Sequence, residues 1–455
     1  MHPMLLMVIV VLFCAVLTYI LPAGQYQRVE DEAIGKEIIL AGSFTNEQRT
    51  PATPMEILTS LTRGLQYGAD VIFFLFIIGG MFAILNGTGA LSVGIANLLR
   101  KLRGRELLLI PICMVFFGLG SSFLGNFEEF LVFVPLMLAC CMTAGFDSLT
   151  AVGIIFMAAT AGYAGAIANP FTIGNALQIA GLETASAMSA RVVLFVLLEV
   201  ASIGYLLWYA HAVRKNPRIS GAYVYDQEYN RGKCLDLDSL PALNLRKTLV
   251  ILVFALGIVF AVWGVITQGY YVDELAAVFL VVGVVGGIVG GLRAGEICNN
   301  FVKGCHDMLL PGLMIGLAHA ARILLEDAHV MDSILRAIAG LLTNVPNVMM
   351  AGGMFVAHEA INVFIPSGSA QAFATMPLMV QLADNVGLSR QVAVIAYQLG
   401  DAFTNILAPT GGEILAALAI CRVPFSKWIR FLLPLFIIWW VISFAFLAVA
   451  TQIGL

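Results

Sequence analysis

Charge is scarce in this chain. Only 11% of its 455 residues are charged and 60% are hydrophobic, whereas a soluble domain carries about 25% charge. Mean hydropathy is +0.93. A soluble enzyme, a disordered chain and a nucleic-acid binder are excluded by that composition, since none could keep so much apolar surface in water. Cysteine is sparse as well. Of the eight, only Cys140 and Cys141 are close together, and no CxxC spacing occurs, so neither a disulfide framework nor a metal site is indicated. The cysteines read as small apolar core residues. No GxxxxGK[ST] loop is present, which disfavours an ATP-driven pump. His358-Glu359-Ala360-Ile361-Asn362 opens like HExxH but lacks the second histidine, and Ser367-Gly368-Ser369 lacks the GxSxG frame, so no zinc protease or serine hydrolase is indicated.

What is abundant is long apolar sequence. Runs at 4–21, 69–86, 149–167, 190–210, 247–267, 274–292, 308–325, 391–407 and 431–450 each approach the roughly 20 residues of a spanning helix. The first is longer than a signal-peptide core and has no basic flank, so it reads as a span. Two further stretches, 107–144 and 346–386, are too long for one crossing. They break at GLGSSFLGNFEEF (Gly118 to Phe130) and at FIPSGSAQAF (Phe364 to Phe373). Irregular backbone at membrane depth is tolerated only where protein or a polar cavity surrounds it. Both stretches are therefore expected to be re-entrant hairpins, with Ser122 and Ser367 at tips near mid-membrane. Full spans joined by tight external turns are the alternative.

With the N-terminus in the cytoplasm, the inner segments hold sixteen Lys and Arg and the outer segments seven, leaving only Arg322 within a span. That arrangement obeys the positive-inside rule. The chain divides into a first half, 1–210, a cytoplasmic linker, 211–246, and a second half, 247–455. The first half holds an inner hairpin at 107–144, a broken span at 149–184 and a span at 190–210. The second holds an outer hairpin at 346–386 and a broken span at 391–421.

The halves match each other. A shift of 242 lays Pro135-Leu136-Met137 on Pro377-Leu378-Met379, Gly145 on Gly387, and LGNFEE (Leu124 to Glu129) over PSGSAQ (Pro366 to Gln371). In the orientation above the copies are inverted. Inverted repeats with interrupted helices are the mark of secondary transporters, with the site at the repeat interface. Each hairpin precedes a broken span, YAGAIANPFTIGN (Tyr163 to Asn175) and GDAFTNILAPTGGE (Gly400 to Glu413). Proline there removes a backbone donor and leaves carbonyls and half-helix ends free for ions. The run GVVGGIVGG (Gly283 to Gly291) has GxxxG spacing and marks close helix packing within the protomer or at a dimer contact.

Ionisable groups in the apolar phase are functional candidates by default. The acids are Glu128, Glu129, Glu359, Asp401 and Glu413, against only Arg322, His319 and His358. The acidic surplus suits a cationic solute or a coupling Na⁺ or H⁺. Asp401 and Asn405 share a helix face, being four apart. Glu128 and Glu129 point about 100° apart on an α-helix, so only one of them is expected to face a cavity.

LPAGQYQR, GFDSLTAVGI, GAIANPFTIGNALQIAGL, FIPSGSAQAFATMPLMVQLADNVGLSRQ and QLGDAFTNILAPTGG together closely resemble the YfcC-like family of basic amino-acid antiporters. That family is akin to arginine–ornithine exchangers and to anaerobic four-carbon dicarboxylate carriers of the ion transporter superfamily, and the resemblance covers nearly the whole chain. It implies an all-α polytopic fold of about nine spans and two opposed hairpins, working as an elevator in a homodimer. By position it also implies that solute and cation sit at Gly125, Asn126, Asn169, Pro170, Thr172, Ser367, Gly368, Ser369, Asn405 and Thr410. The acids read above and Asn175 join these in the full expectation. Solute is expected at Asn126, Glu128, Glu129, Asn169, Thr172, Asn175, Ser367, Gly368, Ser369 and Thr410. A coupling ion is expected at Gly125, Pro170, Asp401, Asn405 and Glu413. The family tip GSGQA reads GSAQA here (Gly368 to Ala372), and the added methyl at Ala370 is expected to narrow the tip.

The expected function is secondary transport of a small carboxylate-bearing solute across a bacterial inner membrane. A basic amino acid is the first candidate and a four-carbon dicarboxylate the second. A passive channel and an intramembrane enzyme are the remaining classes. No cofactor beyond Na⁺ or H⁺, no catalytic residue, no resident metal and no nucleic-acid partner are expected. The lipid bilayer and the small-molecule solute are the expected partners.

Overall fold

The computed structural model describes residues 3–31, 36–102, 104–125, 127–183, 185–234, 243–268, 270, 272–342, 345–346 and 349–455. Helix α1 (Pro3–Ile20) is followed by two small antiparallel pairs, β1 (Gly24–Gln25) with β4 (Thr45–Asn46) and β2 (Arg28–Asp31) with β3 (Lys36–Ile39). Gly24 lies opposite Asn46 and Arg28 opposite Ile39. The first half continues through α2 (Pro54–Tyr67), α3 (Ala69–Gly87), α4 (Ala90–Lys101), α5 (Leu109–Leu124), α6 (Val134–Thr143), α7 (Ser148–Gly165), α8 (Asn175–Ile179) and α9 (Met188–Lys215). After the short α10 (Tyr223–Tyr225) come α11 (Leu245–Gln268), α12 (Val272–Gly290), α13 (Ala294–Asp307), α14 (Leu309–Asp327) and α15 (Met331–Leu342). The chain closes with α16 (Met350–Asn362), α17 (Gly368–Val386), α18 (Arg390–Leu407), α19 (Gly412–Ile420) and α20 (Phe425–Gln452).

A helix occupies each of the nine apolar runs. Among the described residues eight helical segments are long and apolar enough to cross a membrane. One of the eight is Glu106–Leu124, which the sequence reading took as half of a hairpin. The first break is narrower than expected. Helix continues through Gly118 and Ser122 and stops only at Gly125. The reason is a close backbone crossing: a Cβ on Gly162 of α7 would stand 2.0 Å from the Gly118 carbonyl oxygen, so α5 is held helical against α7. We predict that Gly162→Ala forces this crossing apart. Overpacking of this kind costs about 1–3 kcal/mol, more than the ~1 kcal/mol alanine gains in helix propensity. The melting temperature of the purified variant is expected to fall, and an unchanged or raised value would contradict the crossing.

Local chemistry explains the other boundaries. Thr53 and Glu56 form a capping box at the start of α2, with the Thr53 N–H donating to Glu56 Oε2 at 2.7 Å. Asp147 caps α7 by accepting from the Thr150 N–H at 2.9 Å, and Ser389 caps α18 by accepting from the Gln391 N–H at 3.2 Å. Gly145 and Gly387, the residues the 242-residue shift superposes, follow α6 and α17 with φ of +81° and +71°. This left-handed geometry is available to glycine at little cost.

One pair of helices has the same lengths in 1–210 and in 247–455. A 14-residue helix abuts a 19-residue helix twice, as α2 then α3 and as α13 then α14. The packing is reciprocal: α2 lies on α14 through Gly64 and Gly316, while α13 lies on α3 through Gly304 and Gly79. Of the two readings of the GVVGGIVGG run, the structure shows packing within the protomer. Gly283, Gly286 and Gly287 press on Met81, Leu85 and Ile84 of α3, and Gly290 on Thr88 just past its end.

The region read as a linker, 211–246, is partly folded onto the core. Asp147 accepts from the Tyr209 and Ser220 hydroxyls at 2.6 Å each, and Asn230 Nδ2 donates to the Cys421 carbonyl at 2.7 Å.

Candidate functional site

Four interruptions of regular helix meet at one cavity of about 130 Å³, close to the ~150 Å³ that admits a benzene-sized molecule. The first break supplies Gly125, Phe127, Glu128 and Glu129, and the second supplies Pro366, Ser367, Gly368 and Ser369. Tyr163 and Phe171 come from the first broken span, Asn405 and Glu413 from the second. Among the described residues no Lys, Arg or His lines it.

Each lining group has a local cause. Gly125 has φ +73° and closes α5, its N–H donating to Ser121 O at 3.0 Å. A Cβ there would stand 2.5 Å from Asn169 Oδ1, so only glycine lets the two breaks touch. The chain then takes a tight 3₁₀ path over Glu128–Phe133. The expectation that only one of the paired glutamates faces the cavity is overturned, because the cavity follows the break itself, with Gly125, Phe127, Glu128 and Glu129 all lining it, rather than one face of a helix. Glu129 Oε2 accepts from the Phe127 N–H at 3.1 Å, and Glu128 shares the cavity wall with Glu413.

The first broken span ends α7 at Gly165, with Ala166 at φ +38°. A wide turn over Pro170–Gly174 leads into α8. Asn169 caps this turn, its Oδ1 accepting from the Phe171 N–H at 2.9 Å and the Thr172 N–H at 3.3 Å. Asn175 Nδ2 donates to the Phe171 carbonyl at 2.6 Å. Asn169, Pro170, Thr172 and Asn175 thus shape the wall through Phe171 rather than line it. Asn126 lies outside the described residues.

Behind the second tip lies a buried polar chain. Asn362 Nδ2 donates to Asp401 Oδ1 at 2.7 Å and to Gln371 Oε1 at 2.9 Å, and Gln371 Nε2 donates to the His358 carbonyl at 3.0 Å. Asp401 sits inside α18, which runs unbroken to Leu407, two turns ahead of the break it was expected to flank. Its Oδ2 and the Thr172 hydroxyl are buried without partners. Both residues converge on Gly368: a Cβ there would meet Thr172 Cγ2 at 2.4 Å, the Tyr163 hydroxyl at 2.6 Å and Asp401 Oδ2 at 2.7 Å. Thr410, in the second break, has a buried hydroxyl without a partner and does not line the cavity.

Several other candidates point elsewhere. Glu359 Oε1 accepts from Trp440 Nε1 at 2.8 Å, on the α20 side. His319 packs on the Tyr67 ring, and Arg322 pairs with Glu326 at 2.7 Å. Ser122, expected at a tip, lies one turn before it and accepts from the Ile167 N–H at 3.0 Å. Ala370 lines a separate cleft of about 430 Å³ with Arg322 and Asp332, so its methyl does not narrow this cavity. A second cleft of about 590 Å³ holds Pro135, Ala139, Ala419 and Ile420 together with Lys233 and Arg422.

Sequence reasoning missed Phe127, Tyr163, Phe171 and Pro366 as lining groups. It also missed Glu199 of α9, which is 4% exposed with both oxygens unpartnered. A lone acid in the apolar run 190–210 was a signal the intramembrane-charge rule covers. Arg191, assigned to the outer side, is buried at the start of the same helix.

Residues 2–452 match the family described as DcuC, C4-dicarboxylate anaerobic carrier. The protein named "Putative basic amino acid antiporter YfcC" of Escherichia coli (strain K12) is 32% identical over 463 residues, covering 93% of this chain and 91% of its own. An uncharacterized protein of Haemophilus influenzae is 29% identical over 404 residues, covering 88% of this chain and 79% of its own. Among solved structures, the YdaH transporter of Alcanivorax borkumensis has a TM-score of 0.44 at 17% identity, covering 100% of this chain and 99% of that chain. MtrF of Neisseria gonorrhoeae, described with a class of antimetabolite efflux pumps, has a TM-score of 0.42 at 16% identity, covering 99% of this chain and 95% of that chain.

Proposed function

We propose that this chain, which belongs to the C4-dicarboxylate anaerobic carrier family, is a secondary active transporter whose solute is a basic amino acid. The observation that carries this reading is the cavity wall, which holds three glutamates and, among the described residues, no basic side chain. An ammonium or guanidinium group would make charge-assisted hydrogen bonds to Glu128, Glu129 or Glu413. The solute's own carboxylate would lie toward Ser367, Ser369 and the start of α17, where the helix dipole favours negative charge.

The family description favours a second reading, a four-carbon dicarboxylate. Such a solute would bring two carboxylates against three and would require Na⁺ or protons between them. A coupling cation has a natural place near Gly368, where Asp401 Oδ2 and the Thr172 hydroxyl are unpartnered. Gly125, Pro170, Asn405 and Glu413 complete the proposed ion-binding set.

In this reading the halves 1–210 and 247–455 are inverted copies, and the stretches 107–144 and 346–386 are re-entrant hairpins opening from opposite sides. The reciprocal packing of α2 on α14 and α13 on α3 supports the inversion. The clefts beside Ala419 and beside Ala370 serve as inner and outer approaches. Hairpins and broken spans move as an elevator against a homodimeric scaffold in a bacterial inner membrane, with the N-terminus in the cytoplasm.

Counterflow in proteoliposomes tests the solute. Labelled arginine should enter vesicles loaded with arginine, ornithine or lysine, and succinate inside should not drive it. Succinate-driven uptake with no response to arginine would install the dicarboxylate reading. We further predict that Glu128→Gln weakens arginine binding by about 1.5–3 kcal/mol, the range for a hydrogen bond to a charged group, and affects a neutral amino acid less. Equal losses for both would remove Glu128 from side-chain recognition.

A further inference from the structure

The turns that close α8 and α19 share one geometry. The Gly181 and Leu182 N–H groups donate to the Gln178 and Leu177 carbonyls at 2.9 and 2.8 Å, and the Arg422 and Val423 N–H groups donate to the Ala419 and Leu418 carbonyls at 3.1 and 2.9 Å. The pivot residue is left-handed in both, with φ +68° at Gly181 and +59° at Arg422. Glycine takes that conformation freely, and any other residue takes it at a cost. An arginine thus stands where the same turn elsewhere in the chain uses glycine, and the turn itself gives no reason for it. The surroundings do. Arg422 lines the cleft of about 590 Å³ together with Lys233. Among the described residues neither cation takes part in an ion pair. Two like charges sharing one cleft repel, and an anion placed between them reverses the sign of the interaction. Asp307, at the end of α13, adds one carboxylate to the lining, and Asn86 and Ser92 add neutral hydrogen-bonding groups.

We infer that this cleft is a second solute site, which holds the α-carboxylate of an amino acid on Arg422 and Lys233 and its α-ammonium on Asp307. A guanidinium presents paired donors that match the two oxygens of a carboxylate, and the ammonium of Lys233 adds a further charged donor. Helix α19 links the two sites. Glu413 in its first turn lines the solute cavity, and Ile420 at its end lines the cleft, about 10 Å away at 1.5 Å per residue. The glutamates of the cavity face the side chain of the solute, whereas the cleft reads the end that all amino acids share. A solute that leaves the cavity along α19 is therefore caught by its carboxylate before it is released. The site rests on the amino acid reading above, and the test keeps the two apart.

Ser92 lines the cleft and Ser369 the cavity, so each can report as a cysteine in purified full-length protein freed of its native cysteines. Saturating arginine should slow the reaction of Ser92→Cys with N-ethylmaleimide at least threefold. Agmatine, which is arginine without its carboxylate, should not slow it. Adding Arg422→Gln or Lys233→Gln should remove the effect of arginine at Ser92→Cys and leave its effect at Ser369→Cys in place. Protection of Ser92→Cys that survives both substitutions, equal protection by agmatine, or protection at Ser369→Cys alone would each overturn the second site. Succinate that slows both cysteines, in an Arg422-dependent way at Ser92→Cys, with arginine slowing neither, overturns the amino acid reading and leaves a carboxylate site on Arg422 standing. Arg422→Gly gives this turn the residue found at Gly181 and should melt at or above the wild-type temperature. A lower melting temperature would make Arg422 a stabilising residue and overturn its assignment to a ligand.

Discussion

Replacing Gly368 by alanine is expected to abolish transport, with at least a tenfold loss of initial rate, in a protein that still purifies as a folded species. The added methyl would stand 2.4–2.7 Å from Thr172 Cγ2, the Tyr163 hydroxyl and Asp401 Oδ2. Buried groups do not tolerate such approaches, and relieving them costs about 1–3 kcal/mol. The Gly368 carbonyl also accepts from the Tyr397 hydroxyl at 2.6 Å, so the tip is held from behind and cannot simply retreat. It must move into the cavity or drag the wide turn at Thr172 with it. Uptake kinetics in proteoliposomes check this. Wild-type rates in Gly368→Ala would show that the junction of the second tip with the first broken span does not matter for transport.

The second large effect is expected at Asp401. Asp401→Asn keeps the shape and can keep the oxygen that accepts from Asn362 at 2.7 Å, so the buried chain to Gln371 survives. What it removes is the ability to ionise, together with the unpartnered Oδ2 aimed at Gly368. A charged hydrogen bond or ion contact of this kind is worth about 1.5–3 kcal/mol, which is roughly 10–150-fold in affinity. Transport should fall by that order with the melting temperature little changed, and the loss should be partly recovered at higher Na⁺ or shift along the pH axis. Unchanged kinetics would leave Asp401 as a residue that only ties α18 to α16.

The sequence spoke clearly where periodic burial speaks. A helix stands at every long apolar run, and Gly145 and Gly387, matched by the internal shift alone, share the same left-handed turn. The chain breaks were also readable, because glycine, proline and serine interrupt apolar sequence in few ways. Less legible was where each break begins. Gly118 is a glycine inside α5, where it serves a crossing with α7 that only three-dimensional contact reveals. Side-chain direction was illegible for a related reason. Glu128 and Glu129 diverge along the chain, but the cavity wraps around the break that follows the left-handed turn at Gly125 and so meets both of them. Phe127 and Tyr163 looked like ordinary apolar-phase aromatics. They line the cavity because the breaks beside them turn them inward. The β-pairs between α1 and α2 left no alternating pattern to find, being only two to four residues long.

The central claim is that the cavity at the four helix interruptions binds the transported solute through its acidic wall. Ser369 lines that cavity and is replaceable by cysteine at almost constant volume. In a background freed of the eight native cysteines, Ser369→Cys should react with a small maleimide in membranes. Saturating arginine should slow that reaction at least fivefold, while the same concentration of succinate leaves it unchanged. Protection by succinate and not by arginine, or reaction indifferent to both while transport continues, would contradict the account.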